Sequence, residues 1–233
     1  MRIAITGTNG VGKSTLIRDI NDHWECYEMV ETSFRDNLDD RYTTVMSEET
    51  QLAILNNMTD QLKTFGKDDN VLIDRCPVDN LVYSLHGNTQ GTITDAFIDQ
   101  CASQVKEALR MIDLILFIPI TSYDSIDITE NLQGKGDLNK QYATEIDHIF
   151  KSVYKQWDSR ESPFVDFEDK PHVIEIFGTR QERLEMVKLY ITESGKPYEN
   201  SAILTPSEIV EMESLYAAIA KEPLEDKKEP SKT

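Results

Sequence analysis

The stretch Arg2-Ile3-Ala4-Ile5-Thr6-Gly7-Thr8-Asn9-Gly10-Val11-Gly12-Lys13-Ser14-Thr15-Leu16-Ile17 decides the fold. Residues 2–6 read as a short buried strand, and a helix is expected to start near Lys13 and turn Leu16, Ile17 and Ile20 inward. Between them, Gly7 to Ser14 satisfies G-x-x-x-x-G-K-[ST] at every position. In such a loop the glycines let backbone N–H groups converge on a phosphate, and the start of the helix adds positive potential. Lys13 is expected to reach the outer phosphate oxygens and Ser14 to ligate Mg²⁺. The expected nucleotide-binding set is Gly7, Thr8, Asn9, Gly10, Val11, Gly12, Lys13, Ser14 and Thr15. An apolar strand before the loop and an amphipathic helix after it supply the context the motif requires.

Downstream, strand and helix patterns alternate. Tyr27–Glu31 reads as a second strand. Ser47 is expected to cap a long helix carrying Leu52, Leu55, Met58, Leu62 and Phe65 at steps of three and four residues. Asn70–Asp74 is a short apolar strand ending in a carboxylate. Pro77 suits the first turn of the following helix and Gly87 its stop. A helix over about 94–111 buries Phe97, Ile98, Cys101, Val105 and Leu109. Leu114–Ile118 is the most continuous apolar run, as expected of a central parallel strand covered on both faces. Residues 121–138 read as a polar, mobile lid. A helix with Tyr142, Ile146, Ile149, Phe150, Val153 and Trp157 follows, then a strand over His172–Phe177. Thr179 and Glu182 form a capping-box pattern opening a helix with Leu184, Val187 and Ile191. This alternation predicts an α/β fold with a parallel five-stranded sheet flanked by helices. The expected organisation is a domain over 1–192, a helical extension over 193–221 opened by Thr205-Pro206-Ser207-Glu208, and a disordered tail over 222–233.

Bulk composition narrows the classes of function. The 233 residues hold 24 Lys and Arg against 42 Asp and Glu, a formal net charge of −18. That balance argues against wrapping long stretches of nucleic-acid backbone, whose affinity comes from Lys and Arg. No apolar run approaches the roughly 20 residues that span a bilayer, and the N-terminus leads straight into the loop motif, so no membrane partner and a cytoplasmic location are expected. The scattered Cys26, Cys76 and Cys101 read as reduced thiols, and the four histidines have no metal-ligand spacing.

Two further groups of residues lie at predicted strand ends, where ligands bind in open parallel sheets. Asp74 closes an apolar strand, the usual place for a second Mg²⁺ ligand in phosphate-loop proteins, and Arg75 beside it suits bidentate phosphate contact. Glu31 ends the second strand and can orient or deprotonate an acceptor hydroxyl. Arg35, four residues on, can hold the acceptor or developing charge. Lys13, Glu31, Arg35, Asp74 and Arg75 are therefore the expected catalytic residues, with Ser14 and Asp74 on the metal.

The loop Gly7–Ser14, the pair Glu31-x-x-x-Arg35 and the run Asp74-Arg75-Cys76-Pro77-Val78-Asp79-Asn80-Leu81-Val82-Tyr83-Ser84 together resemble the NadR-like P-loop kinases, a group with many phage-encoded relatives. Tyr142-x-x-Glu145-Ile146-Asp147-x-x-Phe150 is similar to the helix after that family's lid. Gly178-Thr179-Arg180-Gln181-Glu182-Arg183-Leu184 is similar to its final loop. The resemblance covers residues 1–192. It implies ATP and Mg²⁺ as cofactors, Thr179 and Arg180 beside the adenine, and transfer of the γ-phosphate to a nucleoside-like small molecule or to a hydroxymethylpyrimidine within phage DNA. A phage origin would make the cytoplasm that of the host. One departure stands out: where the family's lid carries an arginine, this chain reads Glu130-Asn131-Leu132-Gln133-Gly134-Lys135, and only Lys135 offers a cation. A nucleotide-dependent switch protein without a small-molecule acceptor is the alternative, although the chain has no N-K-x-D guanine-reading motif.

Overall fold

The computed structural model describes residues 1–30, 46–121 and 140–197. The expected lid from residue 122 on, the helical extension from residue 198 on and the tail, together with Glu31 and Arg35, lie outside these residues, and the described part of the extension, 193–197, is a turn closed by a bridge between Ile191 and Pro197 rather than helix. Five parallel strands are joined through helices. They are β1 (Arg2–Thr6), β2 (Glu28–Val30), β3 (Val71–Asp74), β4 (Leu114–Phe117) and β5 (His172–Glu175). The helices are α1 (Lys13–His23), α2 (Glu48–Leu62), α3 (Pro77–Thr89), α4 (Asp95–Leu109), α5 (Lys140–Lys155) and α6 (Arg180–Lys188).

The sheet order is β2-β3-β1-β4-β5, with β1 in the middle. Every residue of β1 and β4 is buried, as two-sided coverage by helices demands. The edge strand β2 starts at Glu28, one residue later than the sequence suggests; its expected end at Glu31 lies outside the described residues, and among these it pairs only with β3. Side chains alternate between the two faces. Ala4, Ile73, Ile115 and Phe117 join the core formed with α2, α3, α4 and α5, which includes Leu55, Leu81, Phe97, Val105 and Phe150. The intervening Ile3, Ile5, Leu72 and Leu116 are also buried, and α1 packs on β1, β2 and β3. Each such fully buried apolar side chain contributes roughly 1.5–3 kcal/mol. Phe117 anchors the centre, with ring centroids 5.5 Å from Phe150 and 4.8 Å from Tyr154. The Tyr154 hydroxyl in turn hydrogen-bonds the Thr6 hydroxyl at 2.9 Å, directly below the phosphate loop.

Local signals set the helix starts as the sequence suggests. The Ser47 side chain accepts from Thr50 N to cap α2, and Thr94 accepts from Phe97 N to cap α4. Thr179 and Glu182 form the reciprocal capping box at α6. Pro77 occupies the first turn of α3. The expected stop at Gly87 is a correction. The helix continues to Thr89, and Gly91, with φ 73°, supplies the left-handed residue beyond it. Gly87 serves instead as a point of close approach, where a Cβ would lie 2.7 Å from Ile93 Cγ1.

Register fixes the geometry of the strand ends. Ile5 pairs with Asp74 and Thr6 with Phe117. Asp74 therefore sits beside the last residues of β1, immediately before the glycine-rich loop. The chain leaves β1 toward β2 and β3 on one side and later toward β4 and β5 on the other, so the loop after β1 opens where the connections diverge.

Candidate functional site

The loop between β1 and α1 has the backbone the motif requires. Gly7, Gly10 and Gly12 have φ values of 136°, 81° and 93°, conformations that side-chain-bearing residues rarely adopt. At Gly7 the constraint is also steric, since a Cβ there would stand 2.5 Å from the carbonyl oxygen of Ile118. Gly12 is the N-cap of α1 and offers no side-chain cap, so the positive end of the helix faces the loop. Thr8 is 1 % exposed, and its hydroxyl has no hydrogen-bond partner among the described residues.

Lys13 lies on the first turn of α1 and is buried. Its ammonium donates to the carbonyl oxygens of Gly7 at 3.0 Å and Thr8 at 2.7 Å, arching back over the loop. The Ser14 hydroxyl donates to Asp74 Oδ2 at 3.2 Å, bringing together the two residues expected to share a cation. A hydroxyl and a carboxylate are hard oxygen donors of the kind Mg²⁺ takes, and with the phosphate-shaped loop beside them this set fits Mg²⁺ bound alongside a nucleotide.

Arg75 follows Asp74 with φ 75°, and its guanidinium turns toward the loop. It donates to Asp79 Oδ1 at 3.1 Å and to the side-chain carbonyl of Asn9, and it lies 5.6 Å from the centroid of the Tyr83 ring. Burial works against this charge, but Tyr83, Asp79 and Asp74 outweigh it and hold the guanidinium firmly protonated. Asp79 itself is 1 % exposed. Burial pushes its carboxyl up to about 6, although Arg75 and Lys13 pull the other way. Its second oxygen accepts from Cys76 N at 3.0 Å, closing the first turn of α3.

The loop residues Gly7–Thr15, Asp74 and Arg75 thus converge on one end of the sheet. Val30, the last described residue of β2, pairs with Ile73 at the same end, and Glu31 and Arg35 follow it in sequence outside the described residues. The hydroxyl of Thr179 caps α6, and Arg180 forms a bidentate pair with Asp19 on α1 while remaining exposed.

Three arrangements escape sequence reasoning. Arg183, 3 % exposed, donates to the carbonyl oxygen of Gly178 at 2.9 Å and to that of Val11 in the phosphate loop, tying α6 to the site. Asp147 on α5 accepts from Ile120 N at 2.8 Å, and Lys151 donates to Ile120 O at 2.7 Å, gripping the chain just beyond β4. The Asn80 amide donates to both the backbone carbonyl and the side chain of Gln51 at 2.9 Å, locking α3 to α2 behind Arg75.

A family model for an AAA domain matches residues 2–169. The chain belongs to that family. No curated protein shows significant sequence similarity to it. Among solved structures, this AAA-domain chain is similar to a deoxyadenosine kinase from M. mycoides bound to dCMP and dCDP. The TM-score is 0.59 at 15 % identity, over 81 % of this chain and 97 % of that one. It is also similar to the NadR protein in complex with NR, with TM-score 0.53 and 17 % identity over 85 % of this chain and 53 % of that one. Thymidylate kinase from Candida albicans matches with TM-score 0.51 and 16 % identity over 80 % and 89 %. At these identities the likeness establishes the fold, a parallel five-stranded P-loop architecture. No helix among the described residues is long and apolar enough to cross a membrane.

Proposed function

We propose that this AAA-domain protein is a kinase that transfers the γ-phosphate of ATP to a hydroxyl of a nucleoside-type acceptor. The observation that carries the reading is the pairing of Ser14 with Asp74 at 3.2 Å, directly beside a phosphate loop whose Lys13 is buried within it. A bare glycine-rich turn has no use for that second strand-end carboxylate. The fold shared with deoxyadenosine and thymidylate kinases supports the same reading.

In this mechanism the N–H groups of Gly10 to Ser14 and the Lys13 ammonium hold the β- and γ-phosphates. A phosphate drawn into the loop competes with the Gly7 and Thr8 carbonyls for that ammonium and carries it outward. Ser14 and Asp74 would hold Mg²⁺, which supplies charge neutralisation to the transferring phosphoryl group. Arg75 offers its planar fork to the charge that develops as the bond to the leaving phosphate lengthens. Glu31 takes the acceptor proton and Arg35 steadies the acceptor. Thr179 and Arg180 lie on the adenine side.

The test is transfer of label from γ-labelled ATP with Mg²⁺ to a panel of deoxynucleosides, their monophosphates, ribosylnicotinamide and DNA with or without hydroxymethylpyrimidines. Label on a free nucleoside or nucleotide supports a small-molecule kinase, and label only on hydroxymethylated DNA moves the acceptor into the polymer. Lys13→Ala is expected to abolish transfer while leaving the circular dichroism spectrum unchanged. Retained transfer in that variant would overturn the site. Binding of ATP with no transfer to any acceptor would favour a nucleotide switch.

A further inference from the structure

Arg75 is the only residue other than glycine with a left-handed φ among the described residues. Its backbone N–H donates to Ile5 O at 2.9 Å, so the conformation is pinned to the central strand. Such strain persists where the surroundings over-determine it, and it clusters at functional sites. Its effect here is directional. The side chain leaves the line of β3 and crosses toward the phosphate loop.

The guanidinium is then gripped from two opposite elements. From α3, Asp79 Oδ1 takes one terminal nitrogen at 3.1 Å, with the Tyr83 hydroxyl 3.5 Å away. Asp79 cannot swing, because its other oxygen is committed to Cys76 N at the start of the helix. From the phosphate loop, the side-chain carbonyl of Asn9 takes the other terminal nitrogen. A guanidinium is planar, so fixing both terminal nitrogens fixes its plane as well as its position. Asn9 is the third residue of the loop motif, at a position where the motif itself accepts any amino acid. Nothing about folding the loop calls for an amide there, whereas holding Arg75 does.

We propose that Asn9 and Asp79 are positioning residues that together set the plane of the Arg75 guanidinium across the phosphate loop, Asp79 from the first turn of α3 and Asn9 from within the loop itself. The proposal rests on the kinase reading for its catalytic consequence, although the placement of Arg75 stands apart from it. Asn9 thereby couples occupancy of the loop to the arginine: a phosphate oxygen arriving beside Asn9 meets a fork already facing it. Preorganisation of this kind acts on the transition state more than on ground-state binding.

The experiment is a double-mutant cycle of Asn9→Ala with Arg75→Ala, measured by transfer kinetics and by NMR of the arginine side-chain N–H groups. Asn9→Ala is expected to lower kcat about tenfold with the KM for ATP within about twofold, the pattern of a lost transition-state interaction. In the Arg75→Ala background the same change is expected to cost less than about twofold, because the two residues act as a unit. Asn9→Ser, which keeps an oxygen acceptor, should recover part of the rate. An equal loss of kcat in both backgrounds, or an effect confined to KM, would overturn the proposal. The Arg75 side-chain resonance, assigned by its disappearance in Arg75→Ala, should exchange with solvent about tenfold faster in both Asn9→Ala and Asp79→Ala. An unchanged resonance would overturn the placement even if kinetics shifted. If the wild-type protein transfers phosphate to no acceptor, the kinase reading fails on its own, and the NMR result still decides the placement.

Discussion

Replacing Arg183 with Met isolates what α6 does for the phosphate loop. The methionine keeps most of the apolar stem that packs in this buried position but removes the donors to Gly178 O and Val11 O. A hydrogen bond from a charged group contributes about 1.5–3 kcal/mol. Two such bonds vanish here, and local repacking with entry of water recovers part of the loss. The expected net cost is on the order of 3 kcal/mol. For a domain of this size each kcal/mol lowers the midpoint by about 2–4 °C, so the variant should melt roughly 6–12 °C below wild type. Because Val11 belongs to the loop itself, nucleotide affinity should fall too, by about tenfold, as ordering of the loop becomes part of the cost of binding. Thermal melts followed by circular dichroism and titration calorimetry with Mg·ATP measure the two effects separately. A variant that melts within about 2 °C of wild type and binds nucleotide with unchanged affinity would refute the argument that α6 braces the loop.

Two other perturbations test separate parts of the structure. Gly7→Ala places a Cβ 2.5 Å from Ile118 O at a φ of 136°, so it should destabilise by about 3 kcal/mol or more and abolish nucleotide binding; a soluble variant with a wild-type melting curve would contradict the geometry. Asp79 tests the buried network through pH. Its folded-state value of about 6 lies above the ordinary 3.8, so the folded protein binds this proton more tightly than the unfolded chain does. The contribution is fully present below about pH 4 and is lost as pH rises through about 6, amounting to roughly 1–3 kcal/mol. The stability of wild type relative to Asp79→Asn should therefore decline between pH 4 and 7, which urea titrations at several pH values would detect. A flat difference across that range would show that burial does not raise the Asp79 carboxyl.

The parts of the molecule that could be read from the sequence are those whose determinants are contiguous. The phosphate loop gathers two motif glycines, a lysine and a serine within eight residues, and its neighbours announce a strand and a helix. Strands β1, β3 and β4 are legible because burial on both faces leaves almost no polar residue in them. Asp74 could be placed because parallel strands bring their carboxyl ends to one edge. Gly87 was misleading for a physical reason: a glycine near a helix end serves equally as a stop or as a site of close contact, and only the position of Ile93 distinguishes them. Arg183 and Val11 meet across 172 residues, Arg75 and Asn9 across 66, and such long-range pairs leave no local period to detect. The same is true of Arg180, whose bidentate partner Asp19 is set by how α6 lies on α1.

The grip of α5 on Ile120 bears on how this family can vary. Asp147 and Lys151 hold both the N–H and the carbonyl of the residue that leaves the sheet, so the stretch from there to the start of α5 is closed off by a clasp of its own. The entropy of closing such a ring grows only with the logarithm of its length, about 0.6 kcal/mol for each doubling. Insertions or deletions within that stretch would leave the clasp, β4 and the strand ends untouched. Changes of length between Ile120 and α5 therefore cost little in folding, while the two bonds from α5 keep the end of β4 beside an unchanged phosphate loop.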